Sequence, residues 1–231
     1  MENFICINGN RVELTDQQIK ELGFSLNPFL VSFMELVRSG KVREQYNVRD
    51  VIKIDDYELK IIGFNHDKDI NNTDAPTVTV IGTKLLPYHR MHGGACEKGW
   101  VDTELRKYLN GEVYNSLPSE LKQYICEVKK ATHNYKGDIY DTVDKLFIPS
   151  ESELFGSAIY AGYEDGERYE AFATRKDRIL VDSKGSSDWY WNRSFYGGYS
   201  TIAACVDDSG HAGYCRVDHS GVRAPLCFTL A

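Results

Sequence analysis

Short alternating runs of apolar and polar residues, broken by turn sequences, make up most of this chain, and helical spacing occurs in only a few places. Phe4 to Ile7 and Arg11 to Leu14 flank Asn8-Gly9-Asn10, a turn sequence that predicts a hairpin. Thr15-Asp16-Gln17-Gln18 has the pattern of a capping box and predicts a short helix ended by Gly23. Asn27-Pro28 predicts the start of a second helix, with Phe29, Leu30, Phe33, Leu36 and Val37 at helical spacing and Ser39-Gly40 at its close. Those apolar positions need a surface to cover, either the rest of the chain or a sister subunit. From Val48 onward the period shortens. Val51 to Ile54 and Tyr57 to Phe64 bracket Asp55-Asp56 as a second hairpin, and Thr77 to Ile81 reads as a strand. Trp100 to Asn110 predicts an amphipathic helix with Leu105, Tyr108 and Leu109 on one face, and Ser119 to Ile125 a further helix after Pro118. Lys145 to Pro149 reads as a short strand, and Ser150-Glu151-Ser152-Glu153 as a capping box for a brief helix. The remainder is short strands: Asp188 to Arg193, Ile202 to Asp207, His211 to Val217 and Val222 to Thr229, with turns at Asp208-Ser209-Gly210 and Ser220-Gly221. The pattern predicts an α+β chain. A small α/β appendage spans residues 1–47, and a main domain, 48–231, sets two helices beside mixed antiparallel strands with a strand-and-loop C-terminal face.

Composition narrows the function classes. A hydrophobic share of 42% with 26% charged residues suits a chain that buries a real core. The net charge of −7 and the absence of any Lys/Arg cluster argue against nucleic-acid binding. No apolar run is long enough for a membrane span. Met1-Glu2-Asn3-Phe4 lacks the basic-then-apolar start of a signal peptide, so the expectation is cytoplasmic synthesis, with virion association or a non-classical export route leading outward. Six cysteines include no CxxC pair, which excludes zinc ribbons and thioredoxin-like redox motifs, and free thiols are expected. Cys205 and Cys215 are placed to face each other across the predicted C-terminal hairpin. Asp207, Asp208, His211, Asp218 and His219 fit no standard metal spacing, and their sequences are those of ordinary turns. No cofactor, metal or catalytic residue is expected.

One compositional gap stands out. From Asn192 to Ala231 the chain contains no Lys, Glu, Gln, Met or Trp. An Asn codon whose two adenines are replaced by any base cannot yield these five residues, so the gap is the pattern expected of a segment diversified at adenines. Tyr, Ser, Gly and Asp dominate instead. Antibody loops use that palette because Tyr gives a large amphipathic contact at low entropic cost while Ser and Gly adapt.

Trp100-Val-Asp-Thr-Glu-Leu-Arg-Lys-Tyr-Leu-Asn110, Leu117-Pro-Ser-Glu-Leu-Lys122, Asp144-Lys-Leu-Phe-Ile-Pro-Ser-Glu151, Trp189-Tyr-Trp-Asn-Arg-Ser194 and Gly221-Val-Arg-Ala-Pro225 follow one another in order. Together they resemble an uncharacterised domain family of gut bacteria and their phages, over roughly Val48 to Ala231. Phe195, where proline is common in that family, and Pro225, one residue late, depart from the pattern. The resemblance implies a C-type-lectin-like fold and, for some members, the variable protein of a diversity-generating retroelement, with a variable region at about 192–220. It implies a non-enzymatic binder of a protein or glycan on another cell or virus, and leaves a homo-oligomer open. On this reading Tyr196, Tyr199, Ile202, Ala203, Asp208, His211, Gly213, Tyr214, Arg216, Asp218 and His219 form the variable ligand-binding surface. Trp189, Trp191, Arg193, Val206, Gly210, Val217, Gly221 and Val222, joined in the core by Leu226, form the scaffold. Two rival readings remain: a fixed phage or prophage assembly protein, and a relative of formylglycine-generating oxidoreductases. The latter need an apposed reactive cysteine pair or a His-rich iron site; Cys205, Cys215 and Cys227 match no such spacing. Calcium-dependent sugar binding is disfavoured, because Trp191-Asn192-Arg193 puts a cation where a carboxylate is required.

Overall fold

Residues 4–7, 10–13 and 27–231 are described in a computed structural model of the chain. The helix expected between Thr15 and Gly23 lies outside the described residues. The elements run β1 (Phe4–Ile7), β2 (Asn10–Glu13), α1 (Pro28–Arg38), β3 (Val51–Ile54), β4 (Tyr57–Phe64), β5 (Val78–Gly82), α2 (Glu104–Tyr108), α3 (Tyr114–Ser116), α4 (Ser119–Lys122), β6 (Val128–His133), β7 (Ile139–Asp144), α5 (Glu151–Phe155), β8 (Tyr190–Phe195), β9 (Ile202–Val206), β10 (Ala212–Arg216) and β11 (Cys227–Leu230). The architecture is α+β with antiparallel sheets. β1 pairs with β2 and β6 with β7, while a four-stranded sheet has the order β11-β5-β4-β3 and a three-stranded one β10-β9-β8. No helix among the described residues is long and apolar enough to cross a membrane.

Local sequence rules account for the N-terminal helix and the first hairpin of the main sheet. Asn27 caps α1 by accepting from the Leu30 amide at 3.0 Å, and Pro28 occupies the first turn, where its missing N–H costs nothing. β3 and β4 turn over Asp55, which takes a left-handed φ of 51°. Leu30, Phe33, Met34 and Val37 of α1 are buried in the same apolar core as Ile52, Ile54, Ile61 and Val80. Burying each such side chain is worth about 1.5–3 kcal/mol. The expected boundary at residues 47/48 therefore does not separate two cores: α1 completes the core of the main sheet.

Elsewhere the expected elements shift for identifiable reasons. The region expected as one helix from Trp100 begins as a 3₁₀ turn, Gly99–Asp102. Thr103 then caps α2 through the Arg106 amide, and the helix widens into a π turn at Leu109–Val113 before α3. Asn110, in that wide turn, reaches across to the chain beyond β7. Its Oδ1 accepts from the Lys145 and Leu146 amides, both at 3.0 Å, and its Nδ2 donates to the Leu146 carbonyl at 2.8 Å. Lys145 to Pro149 consequently does not form the strand expected of it: a side chain satisfies its backbone, and only Phe147 bridges to Cys227. The final strand is shorter than expected, starting at Cys227, because Pro225 has no N–H to give to a ladder. No turn signal in the sequence analysis predicts the hairpin of β6 and β7. Val128, Lys130 and Thr132 nevertheless alternate inward as a half-buried strand requires.

A candidate ligand-binding face

β8, β9 and β10 grade from sealed to open. All six residues of β8 are buried, whereas along β10 only Tyr214 and Arg216 are exposed and their neighbours are half-buried. Tyr214 stands opposite Ala204 on β9 and projects to solvent, while Ala203 and Cys205 point inward. Around Tyr214 the structure assembles an aromatic cluster. The Tyr214 ring lies 5.1 Å from Tyr196 and 5.0 Å from Tyr160, both edge-on, and Tyr196 in turn lies 5.6 Å from Tyr199. Tyr199 keeps 56% and Tyr214 49% of its surface exposed. None of these four hydroxyls has a hydrogen-bond partner among the described residues.

The positions expected to form the variable surface divide into two groups at opposite ends of the β9–β10 hairpin. Tyr199, Arg216, Asp218 and His219 gather at the end where Arg216 faces Ile202, and Tyr196 and Ile202 beside them are half-buried. Arg216 is bound to Asp218 through two nitrogens, at 3.0 and 2.8 Å. Asp208 and His211 sit at the Asp207–His211 turn, about 13 Å away for a strand of this length. There His211 takes a hydrogen bond from Arg175 at 2.9 Å. Ala203 is not on the surface; at 0% exposure it belongs to the apolar core, and any larger residue there would collide with it. Gly213 is a poor site for free variation, because a Cβ there would lie 3.2 Å from the Trp189 ring and 3.3 Å from the Cys205 sulfur. The expected region, 192–220, is also not one surface, since Asn192, Arg193, Ser194 and Phe195 are buried in β8.

Among the scaffold positions, Trp191, Arg193, Val206, Gly210, Val217 and Val222 are buried. Trp191 donates its indole N–H to the His89 carbonyl at 2.8 Å. Gly210 takes φ 82°, and a Cβ on it would fall 2.4 Å from the Arg175 carbonyl oxygen. Two expectations need correction. Trp189 remains 36% exposed and lies as a shelf over Gly213 rather than in the core. Gly221 has no left-handed φ; its turn is held by its amide donating to His219 Nδ1 at 3.0 Å. Cys205 and Cys215 do approach, to 3.9 Å between sulfurs, but they are unbonded diagonal neighbours: Cys205 faces Gly213, and Cys215 faces Ala203.

Beneath this sheet lies a group of charges that local sequence patterns did not reveal, apart from Arg193. Glu153, the reciprocal member of the Ser150 capping box, receives Arg193 on both carboxylate oxygens and Lys130 at 3.0 Å. Lys130 also binds Asp67 and donates to the Tyr169 hydroxyl at 3.0 Å. Asp67 accepts from Thr79 and from Tyr169, both at 2.7 Å. Burial alone would raise the Asp67 carboxyl, but Lys130 and then His66 outweigh it and hold it well below the usual range. Glu153 is likewise lowered, because Arg193 and Lys130 overcome its burial. His66, stacked on Tyr169 at 4.0 Å, is raised, since the Asp67 carboxylate overcomes the burial that would lower it. A cavity of about 330 Å³ opens onto His66, Lys130 and Glu153, and a larger cleft of about 830 Å³ lies between Arg38, Asp69, Tyr124 and Lys145. Neither is lined by the aromatic cluster. Among the described residues no group of three or more His, Cys, Asp or Glu is arranged to hold a metal ion.

The chain is thus an α+β protein in which a buried charge network supports a sheet with an aromatic outer edge. Residues 77–230 match the domain of unknown function DUF6273, and the chain belongs to that family. No match was found among curated proteins or among solved structures.

Proposed function

We propose that this chain is a recognition protein without catalytic activity, built on a C-type-lectin-like frame. Its C-terminal surface binds a protein or glycan on another cell or virus, and that surface is rewritten by adenine-directed retroelement mutagenesis. The observation that carries this reading is the coincidence of two features. The stretch that lacks Lys, Glu, Gln, Met and Trp is the stretch that supplies Tyr199, Tyr214, Arg216, Asp218 and His219 to one exposed end of the sheet. Tyr and Arg dominate binding hot spots, and on an edge strand their replacement leaves the core intact.

The genomic test is direct. A reverse-transcriptase gene and a near-copy of the 3′ coding end, differing at template adenines, are expected beside the gene; a neighbourhood with neither overturns the diversification. At the protein level, Tyr199, Tyr214, Arg216, Asp218 and His219 replaced together by alanine should leave a cooperatively folded chain by circular dichroism. If that variant is unfolded, these residues belong to the core and the reading fails.

A further inference from the structure

Tyr160 lies outside the compositionally biased stretch, yet its ring touches both Tyr196, at 5.9 Å and nearly parallel, and Tyr214. Its loop is fixed from below. One oxygen of the buried Glu151 carboxylate accepts three consecutive amides, from Ile159 at 2.8 Å, Tyr160 at 2.9 Å and Ala161 at 2.8 Å. Ala161 bridges to Tyr196, the Gly197 amide donates to the Tyr160 carbonyl at 3.2 Å, and Gly162 packs so closely on Gly197 that a Cβ on Gly162 would be 3.1 Å from the Gly197 Cα. None of these contacts uses the Tyr160 ring. The backbone holds the side chain out beside the C-terminal tyrosines, in place before any ligand arrives.

The chemistry of the resulting platform is specific. It consists of four aromatic rings with free hydroxyls, and the charges beside it are paired with one another. Arg216 is bound to Asp218; Lys136 lies 3.5 Å from Glu97, which also accepts from Tyr135 at 2.7 Å. Tyr135 is tied to the platform through its carbonyl, which accepts from the Gly198 amide at 2.9 Å. Tyr199 and Tyr214 expose roughly 200 Å² between them, taking ~200 Å² for a whole aromatic side chain, and Tyr160 and Tyr196 beside them are half-buried. That is well short of the ~800 Å² per partner of a stable protein interface. A pyranose ring matches such a surface: its C–H face lies against an aromatic ring, and its edge hydroxyls both donate to and accept from phenols. A charged sugar would find no unpaired cation in this set.

We infer that Tyr160 is a constant binding residue of the recognition face, and that with Tyr196, Tyr199 and Tyr214 it forms a metal-independent platform for a neutral glycan. This rests on the proposed role of the C-terminal surface as a binding face and adds its ligand class and a residue outside the variable stretch. The C-terminal tyrosines set which sugar is preferred, while Tyr160 supplies a ring common to every version of the surface.

The full chain should be titrated, with EDTA present, against cellohexaose, mannohexaose, chitohexaose and lacto-N-hexaose, and against sialyllactose and a heparin hexasaccharide, following ring-proton shifts by NMR. The expected result is binding to at least one neutral oligosaccharide. Tyr160→Ala should weaken it at least tenfold, Tyr160→Phe severalfold, and the exposed substitution Val51→Ala, on the outer strand of the four-stranded sheet, not at all. Unchanged thermal melting of Tyr160→Phe confirms that its loss of binding is local. Binding only to the acidic sugars, binding abolished by EDTA, binding indifferent to Tyr160→Ala, or no binding to any neutral sugar each overturns the inference. The binding face is judged apart from the sugars: it survives that failure if the variant with Tyr199, Tyr214, Arg216, Asp218 and His219 replaced together by alanine folds cooperatively and the retroelement lies beside the gene, and the proposed function fails as well if that variant is unfolded.

Discussion

β8 and β10 flank the same strand and come from the same stretch of sequence, yet they meet opposite fates. β8 is closed on both faces: the successive residues Tyr190 and Trp191 enter two different apolar clusters, and Arg193 the charge network. β10 has one neighbour, and its outward side chains meet only other surface groups and solvent: Tyr214 the rings of Tyr160 and Tyr196, Arg216 the Asp218 carboxylate. Tolerance to substitution is therefore set strand by strand within a single three-stranded sheet. A composition typical of exposed loops also covers strands that are not exposed.

The sharpest way to test this contrast is to break β8. Arg193→Met strips Glu153 of its principal partner and leaves a buried carboxylate paired with Lys130 alone; a loss of about 3–5 kcal/mol is expected in urea unfolding. Acid should attack the same network more gradually. Asp67 and Glu153 are both held below the ordinary carboxylate range, so their contribution is complete above the unfolded values near ~4 and is lost as pH falls through the folded ones. His66 is raised, so its contribution is complete below ~6.5 and fades as pH climbs through its folded value. Urea midpoints measured across pH should therefore peak between these limits, and Glu153→Gln should flatten the acid side. On β9, Ala203→Leu should cost about 1–3 kcal/mol through overpacking, although leucine suits a strand and the position lies in the biased stretch. Tyr199→Ala and Tyr214→Ala should each shift stability by no more than ~0.5 kcal/mol. A larger loss at either would erase the distinction between the two strands.

How far the sequence could be read follows from the range of each interaction. The Asn27 cap, the β3–β4 hairpin and the Ser150 capping box depend on residues a few positions apart, and all three form as their patterns specify. The charge network joins residues 63 and 102 positions apart, Lys130 and Tyr169 to Asp67, and no local pattern announces such partners. Nothing beside Lys130 in the sequence marks it as buried; only the fold brings Asp67 and Glu153 around it. Asn110 misleads in the other direction, replacing a strand partner that an apolar run at 145–149 called for. Composition puts Ala203 outside because it reports on what a codon can become, which is independent of the side of a strand on which the residue falls. Tyr160 gives no sign at all, since its part in the face depends on a carboxylate nine positions earlier gathering its loop.

The pairing of β5 with β11 has a kinetic consequence. Thr79 and Thr229 sit side by side, with their hydroxyls 3.1 Å apart, across a separation of 150 residues. The central ladder cannot zip until almost the whole intervening chain has emerged and been gathered, and closure entropy must be met before any of those contacts compensates for it. Maturation of this molecule should be slow and late, on the millisecond-to-second scale of non-local β-sheets or longer, with β5 an unpaired apolar edge in the interim.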